Sequence, residues 1–268
     1  MTETTFWIDV TFLSDWHIGS GAGRHGAVNR SIVTDDDGLP YVPAKTMVGV
    51  LRDSAETAAN ALDECRPGVF GRWVDAIFGT QRRRLEPAAA PPRAAALRTA
   101  PLRLPELERA YIGGALNDGS RVVTQADFIR ATTLLRTAVS IDPATGAVTQ
   151  DTLRTEERAR AGLTVSAEWS LRHPNQAETW PAELLLRAAA AITRHVGGKR
   201  RRGAGLATVS IRGLGSMSHL RQRFTDGIAP PPWPVGPAHR ASTAAKDTER
   251  GPLSHRHDLV LTVHRPIV

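Results

Sequence analysis

The length of 268 residues fits one large domain or two small domains. The chain carries 34 lysine and arginine residues against 27 aspartate and glutamate residues, with a net charge of +7 and a pI near 10.6, so we expect an acidic partner, and nucleic acid before a membrane. Its single cysteine, Cys65, excludes an intrachain disulfide framework and a cysteine-based zinc site, and it fits a reducing compartment. No run approaches the roughly 18 apolar residues of a membrane span, and the first residues lack the order of a signal peptide, so we expect a cytoplasmic protein.

The first predicted element is a strand over residues 6–13, where apolar side chains alternate with polar ones. The glycines of the following SDWHIGSGAGRHGAVNR segment exclude regular structure there. Its side-chain donors include His17, Ser20, Arg24 and Arg30. The segment lacks the Gly-Lys-Ser/Thr of a Walker loop, and no dinucleotide-type βαβ unit follows its GxGxG, so we reject a nucleotide-dependent enzyme.

A short strand is predicted over residues 30–33, and the DDDGLP sequence after it predicts a turn. Asp35, Asp36 and Asp37 could bind a divalent metal, because hard cations take oxygen ligands. The alternative is that these aspartates form the turn before Gly38 and Pro40, as hairpin chemistry requires, and we favour it.

A helix is predicted to begin near Pro43, since apolar residues recur at helical spacing through AKTMVGVLRDSAETAANAL. Lys45, Gly49 and Arg52 fall on its other side. Two cations would then flank a small residue that lets a polymer backbone approach. The alternative is an ordinary solvated face.

The middle of the chain is less regular and is treated as an insertion over about residues 66–155. A short helix is predicted around Trp73, and residues 81–96 predict an exposed connection rich in Arg, Ala and Pro. Residues 97–104 favour a returning strand. The AVSIDPATGAVTQDTLR sequence predicts a hairpin with Pro143 and Gly146 at its tip.

A strand over residues 163–169 and a helix from Pro181 to Val196 lead to the most informative stretch, GGKRRRGAG, which precedes a strand at 206–211. Its glycines let a phosphate approach free backbone N–H groups, and its cations supply charge and forked donors. A polyanion is therefore the expected ligand. The alternatives are a solvated basic turn and a localisation signal. The residues concerned are Gly198, Lys199, Arg200, Arg201, Arg202 and Gly203.

The element order matches the βαββαβ plan of a ferredoxin-like or RNA-recognition-type α+β fold with a long insertion. The paired aromatic residues of RNA-recognition sheets are absent from the predicted strands, so base stacking is not the expected binding mode. We place this domain at residues 1–225. Residues 226–257 are rich in proline and glycine and predict a linker, and 258–268 predict a strand that could open a second domain.

Four segments together resemble the RAMP superfamily of CRISPR-associated proteins: WHIGSGAG, DGLPYVPAKTMVGVLRD, EERARAG and GGKRRRGAG. The resemblance is strongest to the N-terminal half of the two-RAMP subunit of type III-D effector complexes. It implies a subunit in antiviral defence that holds a CRISPR RNA and assembles with other effector subunits and target RNA. It also implies that the hairpin near 139–153 is a thumb that intrudes on the guide–target duplex.

Carried onto this chain, the resemblance assigns phosphate contacts to three segments, which we expect to lie along one groove. Many target-cleaving relatives have an aspartate where this chain has Asn29, so the resemblance implies a binding subunit without a cofactor. The alternative is an endoribonuclease, with Mg²⁺ held by Asp35, Asp36 and Asp37, or with His17 or His25 as general acid or base. The residues assigned to phosphate are His17, Ser20 and Arg24 in the loop after the first strand, Lys45 and Arg52 on the first helix, and Lys199 to Arg202 in the glycine turn.

Overall fold

The computed structural model describes residues 2–23, 28–65, 69–80, 93–117, 124–174 and 178–226. The chain divides into two units, residues 1–234 and 235–268. Apart from Asp226, the predicted linker at 226–257 and the predicted strand at 258–268 lie outside the described residues, as do residues 81–92 of the predicted connection. No helix of the described ranges is long and apolar enough to cross a membrane.

The described part is a mixed α and β structure with antiparallel sheets. In chain order its elements are β1 (Thr2–Phe12), α1 (Ala44–Cys65), α2 (Phe70–Phe78), β2 (Leu97–Arg98), α3 (Glu106–Asn117), α4 (Gln125–Thr132), β3 (Thr133–Ala138), β4 (Arg154–Ala159), β5 (Thr164–His173), α5 (Trp180–Ile192), β6 (Ala207–Arg212) and α6 (Met217–Thr225). A single turn of 3-10 helix, Arg200–Arg202, lies between α5 and β6.

The main sheet has the strand order β2-β5-β1-β6, with every neighbouring pair antiparallel. In the register, Ile8 lies between Ala167 of β5 and Ile211 of β6. The even-numbered residues of β1 from Phe6 to Phe12 are buried, because successive strand residues point to opposite faces. The predicted first strand is confirmed and begins four residues earlier, at Thr2.

Helices α1 and α5 supply much of the apolar core with the buried sheet face. Met47 and Leu51 of α1 are fully buried, as are Leu185 and Ala189 of α5. The helix predicted over 181–196 is confirmed, but it ends at Ile192, because the chain then turns to pair His195 with Leu206.

A second, two-stranded sheet is formed by β3 and β4, with Thr133 opposite Ala159 and Ala138 opposite Arg154. Between them Ile141 bridges to Val148, and Gly146 donates its N–H to the carbonyl of Asp142 at 2.8 Å. The predicted hairpin is therefore confirmed.

The predicted strand at 30–33 is wrong as a regular ladder. Arg30 bridges to Glu156 and Ile32 bridges to Gly19, so this segment is held by isolated contacts to two different partners. Neither β4 nor α6 was predicted. The side chain of Ser216 caps α6 by accepting the N–H of His219 at 3.3 Å.

The predicted exposure of Arg52 is wrong. Its side chain is buried against α2, with the residue only 7% exposed. Its guanidinium donates to the carbonyl of Gly79 at 2.6 Å, to Glu56 at 2.9 Å and to Asp75 at 3.2 Å. The outward row of α1 instead continues from Lys45 and Gly49 to Asp53. Arg52 therefore ties α1 to the C-terminal end of α2.

We predict that Arg52→Met lowers the free energy of unfolding by about 2 kcal/mol, because a buried charged donor with three partners is removed. Its two carboxylate partners are half exposed and therefore screened by solvent, which keeps the loss moderate. The measurement is urea denaturation of the full chain. Lys45→Met, an exposed change on the same helix, should stay within about 0.5 kcal/mol of the wild type. Equal effects of the two substitutions would contradict the anchoring role.

Candidate nucleic-acid interface

The loop after β1 and the glycine turn after α5 are in direct contact. Gly198 donates its N–H to the carbonyl of His17 at 2.8 Å, and Gly205 donates to the carbonyl of Asp15 at 2.9 Å. The expected adjacency of these loops is confirmed at His17 and Ile18, which contact the glycine turn.

Two glycines make this contact possible. Gly197 has a φ of +97°, and a Cβ there would lie 2.7 Å from the carbonyl oxygen of His17. Gly205 has a φ of +73°, and a Cβ there would collide with the carbonyl oxygen of Val196. Glycine is required at both positions by the backbone conformation and by the close approach of another segment.

These loops and the exposed side of α1 form a groove of about 530 Å³, lined by residues 17–19, 45–53 and 197–200 in part. Its charged lining residues are Lys45, Arg200 and Asp53. A Cβ on Gly49 would touch nothing within 4 Å, so this wall of the groove is open to a large ligand. The groove also lies at the first turn of α1, which has no acidic residue. The positive end of the helix dipole therefore favours an anion there.

His17 is 7% exposed and fixed at the edge of the groove. Its Nδ1 lies 2.8 Å from the carbonyl oxygen of Glu157. Because a carbonyl oxygen only accepts, Nδ1 carries the proton, and the other ring nitrogen, Nε2, is the one nearest to Gly19. His17 thus anchors the loop to β4 while one ring edge remains on the groove.

Ser20 is exposed and its hydroxyl stays within the loop, 3.3 Å from the carbonyl oxygens of Ala22 and Ser31. It stabilises the loop beside the groove and does not line it. Arg24 and His25 lie outside the described residues.

Asp35, Asp36 and Asp37 do not converge as a ligand set. The side chain of Asp35 is 2% exposed and accepts the N–H groups of Asp37 and Leu39 at 3.1 and 3.0 Å. Arg109 lies 2.6 Å from Asp37 and 3.7 Å from Asp35. These carboxylates form the turn and its ion pairs. Within the described ranges, no group of three or more His, Cys, Asp or Glu residues is placed to hold a metal ion.

A second concave site, which we call the cationic pocket, lies at the base of the hairpin and has a volume of about 260 Å³. Sequence reasoning assigned Lys199 and Arg202 to phosphate and noted Arg30 as a donor in the first loop, but it missed the three arginines on β3 and β4. The available signal was the alternation of charged residues along β4, which places residues 154, 156 and 158 on one face of the strand. The cations that line the pocket are Arg30, Arg136, Arg154, Arg158, Lys199 and Arg202.

Asn29 also lines this pocket and joins the loop to β4. Its side-chain oxygen accepts the N–H of Thr155 at 2.7 Å, and its own N–H donates to the carbonyl of Thr155 at 2.9 Å. Next to it, Arg30 accepts the N–H of Glu157 at 2.9 Å. These contacts hold the segment 28–32 beside the start of β4.

Glu156 is the one carboxylate among the residues that line the cationic pocket. Its two oxygens lie 3.0 Å from the Nε of Arg158 and 3.4 Å from the Nζ of Lys199. Burial raises the pKa of Glu156, but the hydrogen bond from Arg158 and the charges of His17, Lys199 and Arg158 outweigh it and hold the pKa below its ordinary value. Lys199 reaches this carboxylate from a left-handed backbone with a φ of +61°.

Comparison with known proteins places this geometry in a family. Two chains of cryo-EM structures of type III-B Cmr-beta share the fold: one in the apo state, with a TM-score of 0.52, 11% identity and coverage of 78% of this chain and 97% of that chain, and one bound to cognate target RNA, with a TM-score of 0.50, 11% identity and coverage of 82% and 99%. No curated protein matches the sequence. The sequence profile of the RAMP superfamily matches residues 9–208, which is most of the chain, and the chain therefore belongs to the RAMP superfamily.

Proposed function

We propose that the chain is a CRISPR RNA-binding structural subunit of a type III effector complex, which holds the guide backbone and assembles with neighbouring subunits and target RNA. The observation that carries this proposal is the meeting of three distant segments, the loop after β1, the first turns of α1 and the glycine turn, at one groove. The superfamily membership and the fold likeness to Cmr-beta chains support it.

The proposal includes the finer placement of the chain. The order β2-β5-β1-β6 with antiparallel neighbours supports a ferredoxin-like plan, in which β2, β5 and β6 are its second, third and fourth strands. We propose that the chain corresponds to the N-terminal half of the two-RAMP subunit of a type III-D effector complex. In that role residues 1–225 form the first RAMP domain, 226–257 form the linker, and 258–268 open a second domain.

Binding in the groove would be to the backbone of the RNA. Lys45 and Arg200 supply charge at opposite walls, and the positive end of the α1 dipole adds to the attraction for an anion. Such contacts fix the register of a strand but carry no sequence information, which is what a subunit that accepts any guide requires. Gly198 lines the same groove, Arg201 and Gly203 are exposed in the same turn, and Lys199 and Arg202 extend the basic surface into the cationic pocket. Arg52 is excluded from it by its burial.

We predict that Lys45→Gln/Arg200→Gln weakens binding of a labelled single-stranded RNA about tenfold and lowers the steepness of its salt dependence by about one to two. Each contact between a cation and a phosphate releases about 0.7 counterion from a single strand, and the variant loses two such contacts. The loss should be similar for unrelated RNA sequences. Fluorescence anisotropy of the full chain over a salt series measures both quantities.

The matched control is Arg98→Gln/Arg221→Gln, which removes two exposed arginines from outside the groove and the cationic pocket. It should leave the affinity within about twofold of the wild type, because neither arginine lines a site that the proposal assigns to RNA. A loss equal to that of the groove variant would mean that binding follows net charge alone, and the proposal would fail.

Binding without cutting is part of the proposal. Asn29 offers an amide at the place where target-cleaving relatives of this superfamily are expected to have an aspartate, and its oxygen is already used by Thr155. An amide cannot supply the charge of a carboxylate to Mg²⁺. The carboxylate of Asp35 is taken up by turn N–H groups and lies close to arginines.

We expect no cleavage of labelled guide or target RNA by the chain, alone or in its assembled complex, with or without Mg²⁺. Denaturing gels of the incubated RNA measure this directly. Cleavage that disappears in Asp35→Ala/Asp36→Ala/Asp37→Ala, or in His17→Ala, would replace the binding role with that of an endoribonuclease.

The hairpin formed by β3 and β4 fits the proposed thumb. Ile141 and Val148 bridge near its tip and are 64% and 61% exposed. Apolar side chains held on a projecting hairpin can insert between base pairs and unstack them. The hairpin would then act on the guide–target duplex while the groove holds the guide.

We predict that Ile141→Ser/Val148→Ser reduces the 2-aminopurine fluorescence increase that the assembled complex causes in a guide–target duplex, because the apolar wedge is lost. Guide affinity should remain within about twofold, since the tip makes no groove contact. Leu135→Ser, an exposed change at the base of the same hairpin, is the control and should keep the increase. Unaltered fluorescence in the tip variant would remove the thumb role.

A further inference from the structure

The cationic pocket contains one carboxylate among its basic side chains. Its lining brings together six cations, and the carboxylate of Glu156 lies among them. The oxygens of Glu156 are divided between two of these cations, one facing Arg158 and the other facing Lys199. Carboxylate and phosphate oxygens accept the same charge-assisted hydrogen bonds from arginine and lysine.

The alternation of side chains along β4 shows that Glu156 points into the pocket and not into the core. Along β4 the side chains alternate, so Glu157 points the other way, where its carboxylate accepts the N–H of Ile32 at 3.3 Å. Glu156 lies on the same face as Arg154 and Arg158.

The other four cations of the lining have no carboxylate partner within the described part of the chain. Arg154 donates to the hydroxyl of Ser140 at 2.9 Å. Within the described part of the chain, no ion pair engages Arg30, Arg136 or Arg202. The lining thus holds six cations and one carboxylate, so the pocket keeps a surplus of positive charge even with Glu156 in place.

Lys199 links the pocket to the groove. Its backbone is in the left-handed region, which is strained for a residue that carries a side chain. Gly198 and Arg200 on either side of it line the groove, whereas Lys199 lines the cationic pocket and faces Glu156. The ion pair with Glu156 therefore fixes on which side of the basic turn this charge lies.

We propose that Glu156 is a resident competitor for an RNA phosphate: it occupies the anion position of the cationic pocket in the free protein, and a backbone phosphate must displace it from Lys199 and Arg158. The proposal rests on the proposed RNA-binding function and adds a residue that restrains affinity. The consequence is that short or accidental RNA contacts in this pocket are weak, whereas an RNA also held in the groove can exchange Glu156 for a phosphate.

The test is Glu156→Gln, which keeps the shape of the side chain and its hydrogen-bonding oxygen but removes the charge. We expect it to bind a labelled single-stranded RNA about fivefold more tightly at moderate salt, with a salt slope steeper by about 0.7, because loss of the carboxylate raises the net positive charge of the pocket by one.

Two further variants separate this role from a general effect of charge or folding. Glu168→Gln makes the same charge change at an exposed position of β5, opposite Trp7, and lines neither site, so its affinity should stay within about twofold. In a double-mutant cycle, Lys199→Gln should remove most of the gain from Glu156→Gln, because the two side chains act through each other. Thermal unfolding of each variant confirms that it is folded.

If Glu156→Gln binds no more tightly than the wild type while the groove variant Lys45→Gln/Arg200→Gln binds more weakly, this inference is wrong and the RNA-binding function stands. A gain that persists in full in the Lys199→Gln background also overturns it. If the wild-type chain shows no salt-dependent RNA binding, the proposed function itself fails.

Discussion

The hydrogen bond from the N–H of Gly198 to the carbonyl of His17 is the contact on which the arrangement of the candidate site depends. It joins a loop that follows the first strand to a turn that lies almost two hundred residues later in the sequence. The same loop is fixed on its other side by β4, where Trp16 and Ala159 exchange two backbone hydrogen bonds of 2.9 Å. One irregular segment thus sets the positions of the groove and of the cationic pocket relative to each other.

The close contact between the two loops explains why the site contains so many glycines. A side chain at Gly197 would push the two loops apart, so that the groove would lose one wall, and a side chain at Gly205 would collide with Val196 at the base of the glycine turn. Most of the basic residues are exposed, whereas Arg158 and Lys199 are partly buried and are held by the carboxylate of Glu156. The glycines therefore allow the loops to approach each other, and the cations supply the positive charge. Either property can be altered by mutation without changing the other.

Much of this could be predicted from the sequence, because the informative patterns are local. The alternation along β1 and the apolar spacing of α5 identify those elements directly, and the glycines of the basic turn mark a backbone that must depart from regular structure. The position of Arg52 could not be predicted in this way. Its place on the helix depends on α2 packing against that side of α1, which is a tertiary contact that helical spacing does not reveal. Likewise β4 has a polar sequence, RTEERA, and only its pairing with β3 makes it a strand. The cationic pocket was missed with it.

The positions of the aromatic residues distinguish between two ways in which such a domain can recognise RNA, by stacking on the bases or by binding the phosphate backbone. Phe12 and Trp16 stack on each other at 4.3 Å inside the core, so they are not available to bases. On the open face of the sheet Trp7 is exposed, but the guanidinium of Arg212 lies 5.7 Å from the centre of its ring. Arg212 is in turn held by Asp9, and this hydrogen bond is the main reason that the pKa of Asp9 lies below its ordinary value. A face whose exposed ring is already covered by a fixed cation is a poor stacking platform, whereas the groove and the cationic pocket offer charge and N–H donors without aromatic rings. The physical character of the site therefore favours recognition of the phosphate backbone over recognition of bases.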